Sequence, residues 1–197
     1  MQGAVYTVRL YPKADMSPLP SEPAVHPSTF TPEEFRAALG QFATGVTIVT
    51  ARAADGALVG LTANSFNSVS LDPPLVLWSL SRHSGSMPGF LTATHYAINV
   101  LGADQRLLAE RFARKGIDRF EGAPWKPGLT GAPVIDGAVA VFECTHRSQH
   151  DEGDHVIFVG QVAHCRRRVG VPPLIYHGGR FFTDLNWAAP PHSGPAA

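Results

Sequence analysis

Three stretches of the chain hold residues whose types and spacing could do chemistry. The first runs Gly60-Leu61-Thr62-Ala63-Asn64-Ser65-Phe66-Asn67-Ser68-Val69-Ser70-Leu71-Asp72-Pro73-Pro74-Leu75 and carries no charge before Asp72. The second, Ser81 to Gly89, offers Ser81, Ser84 and Ser86, with Arg82 as its fixed positive charge and His83 beside it. Hydroxyls, amides and freed backbone N–H groups bind phosphate without a P-loop, and one Arg adds a charge-assisted contact. The third is Gly153-Asp154-His155, which follows charged residues and precedes a strongly β-forming run. That order puts His155 at a strand mouth, a usual place for ligands in β-barrels. Side chains alternate along a strand, so Asp154 is expected to fix the turn and not to orient His155.

Each stretch has a bland explanation. Any one Ser or Thr is better explained as a turn cap that satisfies local backbone, and a lone His is more often a satisfied polar residue than a catalyst. Two hydroxyl-rich loops, each beside a strand, favour a ligand. The same uncharged donors suit the carbonyl and ring-nitrogen edge of a flavin. Other chemistries fit less well. Cys144, His146, His150, His155 and His164 are close in sequence, but their spacing matches no zinc ribbon or HExxH pattern. No serine sits in G-x-S-x-G. Cys144 and Cys165 fall mid-strand, where a thiol behaves as a small hydrophobe.

The elements that must position these residues read mostly as strands. Thr31 caps a helix with Pro32 at its first position and Glu34 completing a capping box. Phe30 and Phe35 have the spacing of a hydrophobic staple, and Phe35, Ala38, Leu39 and Phe42 form one apolar stripe, so the spacing predicts a helix ending near Ala43. Val46 to Thr50 is β-branched, Asp55-Gly56 signals a turn, and Leu58 to Ala63 returns as the second strand of a hairpin. Leu75 to Leu80 and Tyr96 to Leu101 read as strands. Asp104 can cap a helix through Leu107, Leu108 and Phe112, stopped by Gly116. Gly122 to Gly131 reads as loop. Ala138 to Thr145 and Val156 to Cys165 form a late hairpin turning around Asp151 to Asp154. Val156, Phe158, Gly160 and Val162 share one of its faces, and Cys144 should face a residue near Gly160, not Cys165. Leu174 to His177 and Phe181 to Leu185 are short final strands. About seven strands, mostly joined as hairpins, with two helices predict a mainly β fold with flanking helices: an antiparallel barrel, not a doubly wound parallel sheet.

Bulk properties narrow the function. The 197 residues, 44% hydrophobic and 16% charged, suffice for one core-bearing domain. Formal net charge is zero, which argues against electrostatic attraction to nucleic acid or anionic membrane. Arg166-Arg167-Arg168 lacks interleaved aromatics and reads as a solvated strand end. No window approaches the roughly 18 apolar residues of a membrane span. Two cysteines make no disulfide framework, so a reducing, cytoplasmic setting is the expectation. The five prolines between Pro12 and Pro27 make residues 1–28 a loosely packed arm. The domain is expected over 29–187, and 188–197 is a Pro/Gly/Ala tail. Neither G-x-G-x-x-G between a strand and a helix nor G-x-x-x-x-G-K-[ST] occurs, so the common nucleotide motifs are absent.

Taken in order, Gly40-Gln41-Phe42-Ala43-Thr44-Gly45-Val46-Thr47-Ile48-Val49-Thr50, Gly60 to Leu75, Ala113-Arg114-Lys115-Gly116-Ile117-Asp118-Arg119-Phe120, Gly153-Asp154-His155 and Pro173-Leu174-Ile175-Tyr176-His177 resemble the flavin reductase-like proteins. These are similar to the small reductase components of two-component flavin monooxygenases. The resemblance covers Phe30 to Leu185. It implies an FMN-binding split β-barrel, antiparallel and Greek-key-like, that forms a homodimer. It also implies reduction of FMN or FAD by NADH or NADPH, with reduced flavin diffusing to a flavin-dependent oxygenase. By position, Gly60, Leu61, Thr62, Ala63, Asn64 and Ser65 would line the isoalloxazine edge and ribityl chain, with Ser68 and Val69 continuing that wall. Leu80, Ser81, Arg82, Ser84 and Ser86 would hold the ribityl and phosphate end, and Phe112 and Lys115 would lie near the flavin. Gly153, Asp154 and His155 would form the nicotinamide side with Tyr176 nearby. His155 would position the nicotinamide, with no acid–base role. A flavin- or heme-binding protein without reductase activity, and a flavoenzyme that keeps its FMN and reduces another acceptor, are the alternatives.

Overall fold

The structure, a computed structural model, describes residues 29–183. The expected arm at 1–28, the tail at 188–197 and the end of the last expected strand lie outside the described residues.

The first helix starts as its sequence dictates. In α1 (Pro32–Leu39) the Thr31 hydroxyl accepts from the Glu34 N–H at 3.2 Å, and the Glu34 carboxylate accepts from the Thr31 N–H at 2.8 Å. The Phe30 and Phe35 rings lie 5.4 Å apart, the expected staple. The helix ends at Leu39, short of Ala43, because Thr44–Gly45 is drawn into a strand (β1) that pairs with Ile175–His177 (β11). Its apolar stripe is not packed on this domain: Phe35, Leu39 and Phe42 are 50%, 59% and 76% exposed.

Seven strands form one antiparallel sheet: β2 (Thr47–Arg52), β3 (Leu58–Ala63), β4 (Asn67–Leu71), β5 (Pro74–Ser81), β6 (His95–Val100), β9 (Ala140–Glu152) and β10 (His155–Arg167). Their order is β3-β2-β6-β9-β10-β5-β4. The two outermost strands are thus consecutive in the chain, joined only by Asn64, Ser65 and Phe66. A flat sheet with six gaps between strands would separate its edges by about 29 Å. The link from Ala63 to Asn67 reaches at most about 14 Å. The sheet must therefore curl until the end of β3 and the start of β4 come together, the seam of the sheet. Ser65, in the link at that seam, is tied to β5: its hydroxyl donates to the Ser79 carbonyl and accepts from the Ser79 N–H, both at 3.0 Å.

The concave side of the curl holds one core. Trp78, Phe90, Tyr96 and Phe158 fill it, with the Trp78 and Phe158 rings stacked at 4.9 Å. Phe90 and Met87 come from a short helix, α2 (Met87–Thr92), in a segment expected to be loop. Two buried apolar anchors outweigh its glycine and serine content. A second core lies outside the curl, where α3 (Arg106–Ala113) brings Ala109 and Phe112 onto Val46 and Ile48. The sequence between Gly122 and Gly131 is not all loop, since β7 (Trp125–Pro127) pairs with β8 (Pro133–Ile135). A final strand, β12 (Arg180–Phe182), pairs with β11.

The β9–β10 hairpin is longer than its apolar runs. Bulges between Val159 and Gly160 and between Val162 and His164 set Cys144 opposite Val162 and Cys165 opposite Phe142. The two thiols are separate and free. No helix among the described residues is long and apolar enough to cross a membrane.

Candidate active site

Beside the seam the chain leaves a cleft of about 650 Å3, and most residues singled out from the sequence line it. One wall is Leu61, Thr62, Ala63, Asn64 and Ser65. The facing wall is Leu80, Ser81 and Ser84, from the end of β5 and the loop into α2. Phe112 and Lys115 come from the end of α3 and just beyond it, and His155 from the first position of β10. An adjoining cavity of about 420 Å3 includes Gly60 and Ser86 and shares Gly85, Lys115 and Arg119 with the cleft. Tyr176 lines a third, of about 360 Å3, which meets the cleft along Thr62, Ala63, Asn64 and Ala113.

Five further expected site residues, Ser68, Val69, Arg82, Gly153 and Asp154, line neither the cleft nor these two adjoining cavities. Ser68 and Val69 lie on β4 as an exposed edge strand, Ser68 opposite Val76 of β5, so half of the uncharged stretch is sheet edge and not ligand wall. Gly153 and Asp154 form the two-residue turn between β9 and β10. Arg82 is held by that hairpin: Nη2 lies 2.8 Å from Asp151 Oδ1, and Nε donates to the Gly153 carbonyl at 3.1 Å.

Asp154 does contact His155, against expectation. Its Oδ1 lies 2.7 Å from His155 Nδ1. Asp154 belongs to the turn and not the ladder, so the alternation of faces does not separate it from its neighbour. The hydrogen bond from His155, and then the charge of the ring, hold the Asp154 carboxyl below the usual carboxylate range. A carboxylate can only accept here, which places the proton of a neutral imidazole on Nδ1 and leaves Nε2 as an acceptor.

The hydroxyls divide by what they have left to give. The Thr62 hydroxyl donates to the Ala109 carbonyl at 2.6 Å and ties β3 to α3, and Ser65 is spent on the seam. By contrast Ser81 and Ser84 accept from the backbone N–H groups of His83 and Ser86, and Ser86 accepts from Arg119 Nη1 at 3.0 Å. Those three keep their O–H donors, the pattern an oxyanion needs. Gly60 is floor, not wall: a Cβ there would stand 2.9 Å from the Phe112 ring and 3.1 Å from that of Phe120.

Arg119 and His83 are the functional candidates that sequence reasoning passed over. Arg119 donates to the Gly60 carbonyl at 2.7 Å and, through Nε, to the Arg114 carbonyl at 2.8 Å. Burial pushes its pKa below the ordinary guanidinium value. Neither Arg119 nor Lys115 has a carboxylate partner among the described residues. Two cations without counter-ions therefore stand where the cleft joins the adjoining cavity, beside two hydroxyls with free protons. Such an arrangement can hold an anion, although Asp118 also lines the adjoining cavity. His83 lines the cleft near His155 and Glu152. No group of three His, Cys, Asp or Glu among the described residues is arranged to hold a metal ion.

A curled antiparallel sheet with a neutral, donor-rich wall at its seam, an anion site at one end and an oriented imidazole at the other describes a nucleotide-cofactor protein of the mainly β class. Residues 39–183 match the family described as flavin reductase like domain, and the chain belongs to it. It is 48% identical over 163 residues to the FMN reductase (NADH) SmoA of Agrobacterium fabrum, covering 83% of this chain and 92% of that protein. It is 43% identical to the reductase component of the flavin-dependent trigonelline monooxygenase of Acinetobacter baylyi, covering 76% of this chain and spanning 48% of that protein's length. Among solved structures, the NADH:FAD oxidoreductase SgcE6 of Streptomyces globisporus, in complex with NAD and FAD fragments, superposes with a TM-score of 0.74 at 40% identity, covering 80% of this chain and 94% of that one.

Proposed function

We propose that this protein is an NAD(P)H:flavin oxidoreductase that transfers hydride from NADH or NADPH to FMN or FAD and supplies reduced flavin to a separate flavin-dependent oxygenase. The observation that carries this reading is the polarity of the cleft: uncharged along β3, cationic where Lys115 and Arg119 meet Ser84 and Ser86, and imidazole-bearing at His155. The curl of the sheet is the feature that supports a split barrel.

When bound, flavin and nicotinamide supply the hydride chemistry between them; the chain's part is to bind, stack and orient them. Lys115, Arg119, Ser84 and Ser86 would hold the flavin phosphate. Thr62, Ala63 and Asn64 would face the ring and ribityl chain. For FAD, the cavity beyond Arg119, walled by Val59, Ile117 and Phe120, gives the adenosine a place. His155, with Nε2 left as an acceptor by Asp154, would take the carboxamide N–H of the nicotinamide and fix which ring face is presented. No proton transfer at the protein is required. Helix α1, with its bare apolar stripe, and the neighbouring cavity that includes Tyr176, Gly178 and Asn64 would be covered by the second copy of a homodimer. Two unbridged thiols fit a reducing compartment, and we place the protein in the cytoplasm.

Steady-state oxidation of NADH and of NADPH, with FMN, FAD and riboflavin added in turn, tests the class and selects the cofactors. Flavin binding without any nicotinamide oxidation would overturn the reading in favour of a binding protein. Turnover independent of added flavin would point to a retained prosthetic group. His155→Ala should raise the nicotinamide KM much more than the flavin KM, and an unchanged nicotinamide KM would remove His155 from that role.

A further inference from the structure

We infer that Arg82 is a positioning residue that locks the two halves of the site together. On the flavin reductase reading, one half is the Ser81–Ser86 loop at the flavin phosphate and the other is the β9–β10 tip that carries His155. The β5–β10 ladder joins these halves only as far as its last pair, Ser81 with His155. Beyond that pair nothing in the ladder holds loop to tip. Arg82 is the next residue, and it extends the connection three ways. Its N–H donates to the Asp154 carbonyl at 2.9 Å. Its Nε donates to the Gly153 carbonyl at 3.1 Å, and its Nη2 lies 2.8 Å from Asp151 Oδ1.

The two side-chain contacts use one planar fork on two residues of the hairpin tip, Asp151 and Gly153, which an ammonium group cannot reproduce in full. Both contacts point at the hairpin, and the guanidinium does not line the cleft. The cation offered to a phosphate is thus Lys115 or Arg119, while Arg82 sets the distance from that phosphate end to His155. The turn it grips, Gly153-Asp154, is also the one whose carboxylate orients the His155 ring. The side chains of Arg82 and Asp151 are 43% and 69% exposed. Exposed pairs of this kind contribute little to global stability, so substitutions should leave the fold intact and act on the geometry of the site.

The test compares Arg82→Ala, Arg82→Lys, Asp151→Ala and the Arg82→Ala/Asp151→Ala double variant in the full chain. It measures NADH and NADPH KM, kcat, and equilibrium Kd for FMN and for riboflavin, which lacks the phosphate. Loss of one or two exposed hydrogen bonds should raise the nicotinamide KM about 3- to 10-fold in Arg82→Ala. Asp151→Ala should move it the same way by a smaller factor, Arg82→Lys should fall between, and the double variant should be no worse than Arg82→Ala alone. FMN and riboflavin Kd should each stay within about twofold. Faster amide hydrogen exchange at residues 153–155 in Arg82→Ala would accompany the loss. If Arg82→Ala weakens FMN but not riboflavin while Asp151→Ala does nothing, Arg82 is a phosphate ligand and the inference fails. An unchanged nicotinamide KM in Arg82→Ala, or additive effects in the double variant, overturns it equally. Absence of nicotinamide oxidation by the unaltered protein would instead refute the reductase reading on which this rests.

Discussion

Replacing Lys115 with methionine removes one of the two cations at the junction of the cleft and its neighbouring cavity while keeping most of the side chain's bulk. Lys115 has no hydrogen-bond or ion-pair partner among the described residues, so the change leaves no protein group newly unpaired. Its ammonium is exposed, and the energy at stake lies between two limits. Two unit charges about 4 Å apart attract by about 1 kcal/mol in bulk water and about 4 kcal/mol near a protein surface of effective dielectric about 20. Desolvation and side-chain ordering offset part of this, so we expect a net loss of about 1–2 kcal/mol, or about 5- to 30-fold in the FMN Kd. Titration of flavin fluorescence measures it directly. Riboflavin is the control, since it presents the same ring and ribityl chain without the phosphate, and its Kd should not move. The loss for FMN should shrink as salt rises from about 0.01 to 0.15 M, because the Debye length falls from about 30 to 8 Å. If riboflavin weakens by the same factor as FMN, or if FMN weakens less than twofold at low salt, the anion site is misplaced.

Three further outcomes follow from the packing and the charges. Gly160→Ala should destabilise the chain by about 1–3 kcal/mol, because the new Cβ would stand 2.8 Å from the Tyr96 ring and 2.9 Å from Cys144 Cβ; thermal unfolding should show a Tm lowered by about 3–10 °C, partly restored by adding Tyr96→Phe, and an unchanged Tm would refute the close approach. Iodoacetamide at pH 8 should label the exposed Cys165 and spare the buried Cys144, whose thiol burial pushes up to about 12; mass spectrometry finding equal labelling of both in the native protein would contradict that burial. The depressed folded pKa of Asp154 means its bond to His155 contributes above the unfolded carboxylate value of about 3.9 and is lost only as pH falls through the lower folded value. The nicotinamide KM measured from pH 5 to 8 should therefore show no carboxylate titration. Asp154→Asn, which can turn its N–H2 toward Nδ1 and reverse the tautomer, should raise that KM at every pH in the range.

Local pattern carried the chain a long way. The capping box at Thr31 and Glu34 is present as written, and the alternation that set Val156 and Phe158 on one face puts both in the core. What the pattern could not carry was pairing across the sheet. Nothing in the composition of β3 and β4 says that they are opposite edges, because that follows from β6 inserting between β2 and β9 far along the chain. The same limit hid Arg119, whose bond to Gly60 spans 59 residues. The one sequence signal was its place in the Arg114-to-Phe120 segment after α3, among the segments that carry the family resemblance. Ser68 and Val69 were placed on the flavin wall by position in the family resemblance, although the alternation in Asn67–Leu71 was already that of a strand. With Asp154 a rule for strands was carried one residue into a turn, where backbone direction no longer separates neighbours. In each case a short-range rule was applied where a long-range contact or a change of backbone state decides.

The neutrality of the β3 wall has a physical cause in the topology. β3 pairs with β2 on one side only, and β4 with β5 on one side only, so the seam between them leaves alternate backbone N–H and C=O groups without strand partners. Soluble proteins usually blunt such edges with charge or cover them with other elements. Here part of the cover is visible: Arg119 takes the Gly60 carbonyl, the Thr47 hydroxyl donates to the Ala63 carbonyl at 2.7 Å, and the Thr62 side chain reaches α3. The remainder of the wall, at Ala63 and Asn64, faces the cleft without a charged side chain. A charge on this wall would demand a counter-ion from whatever binds there. An uncharged wall demands only a neutral polar partner, which on the proposed reading would be the edge of a flavin ring. On that reading Lys115 and Arg119 would stand at the phosphate end and His155 at the nicotinamide end. Binding strength would then be set by the phosphate and the ring held more weakly, as the proposed release of reduced flavin to a separate oxygenase requires.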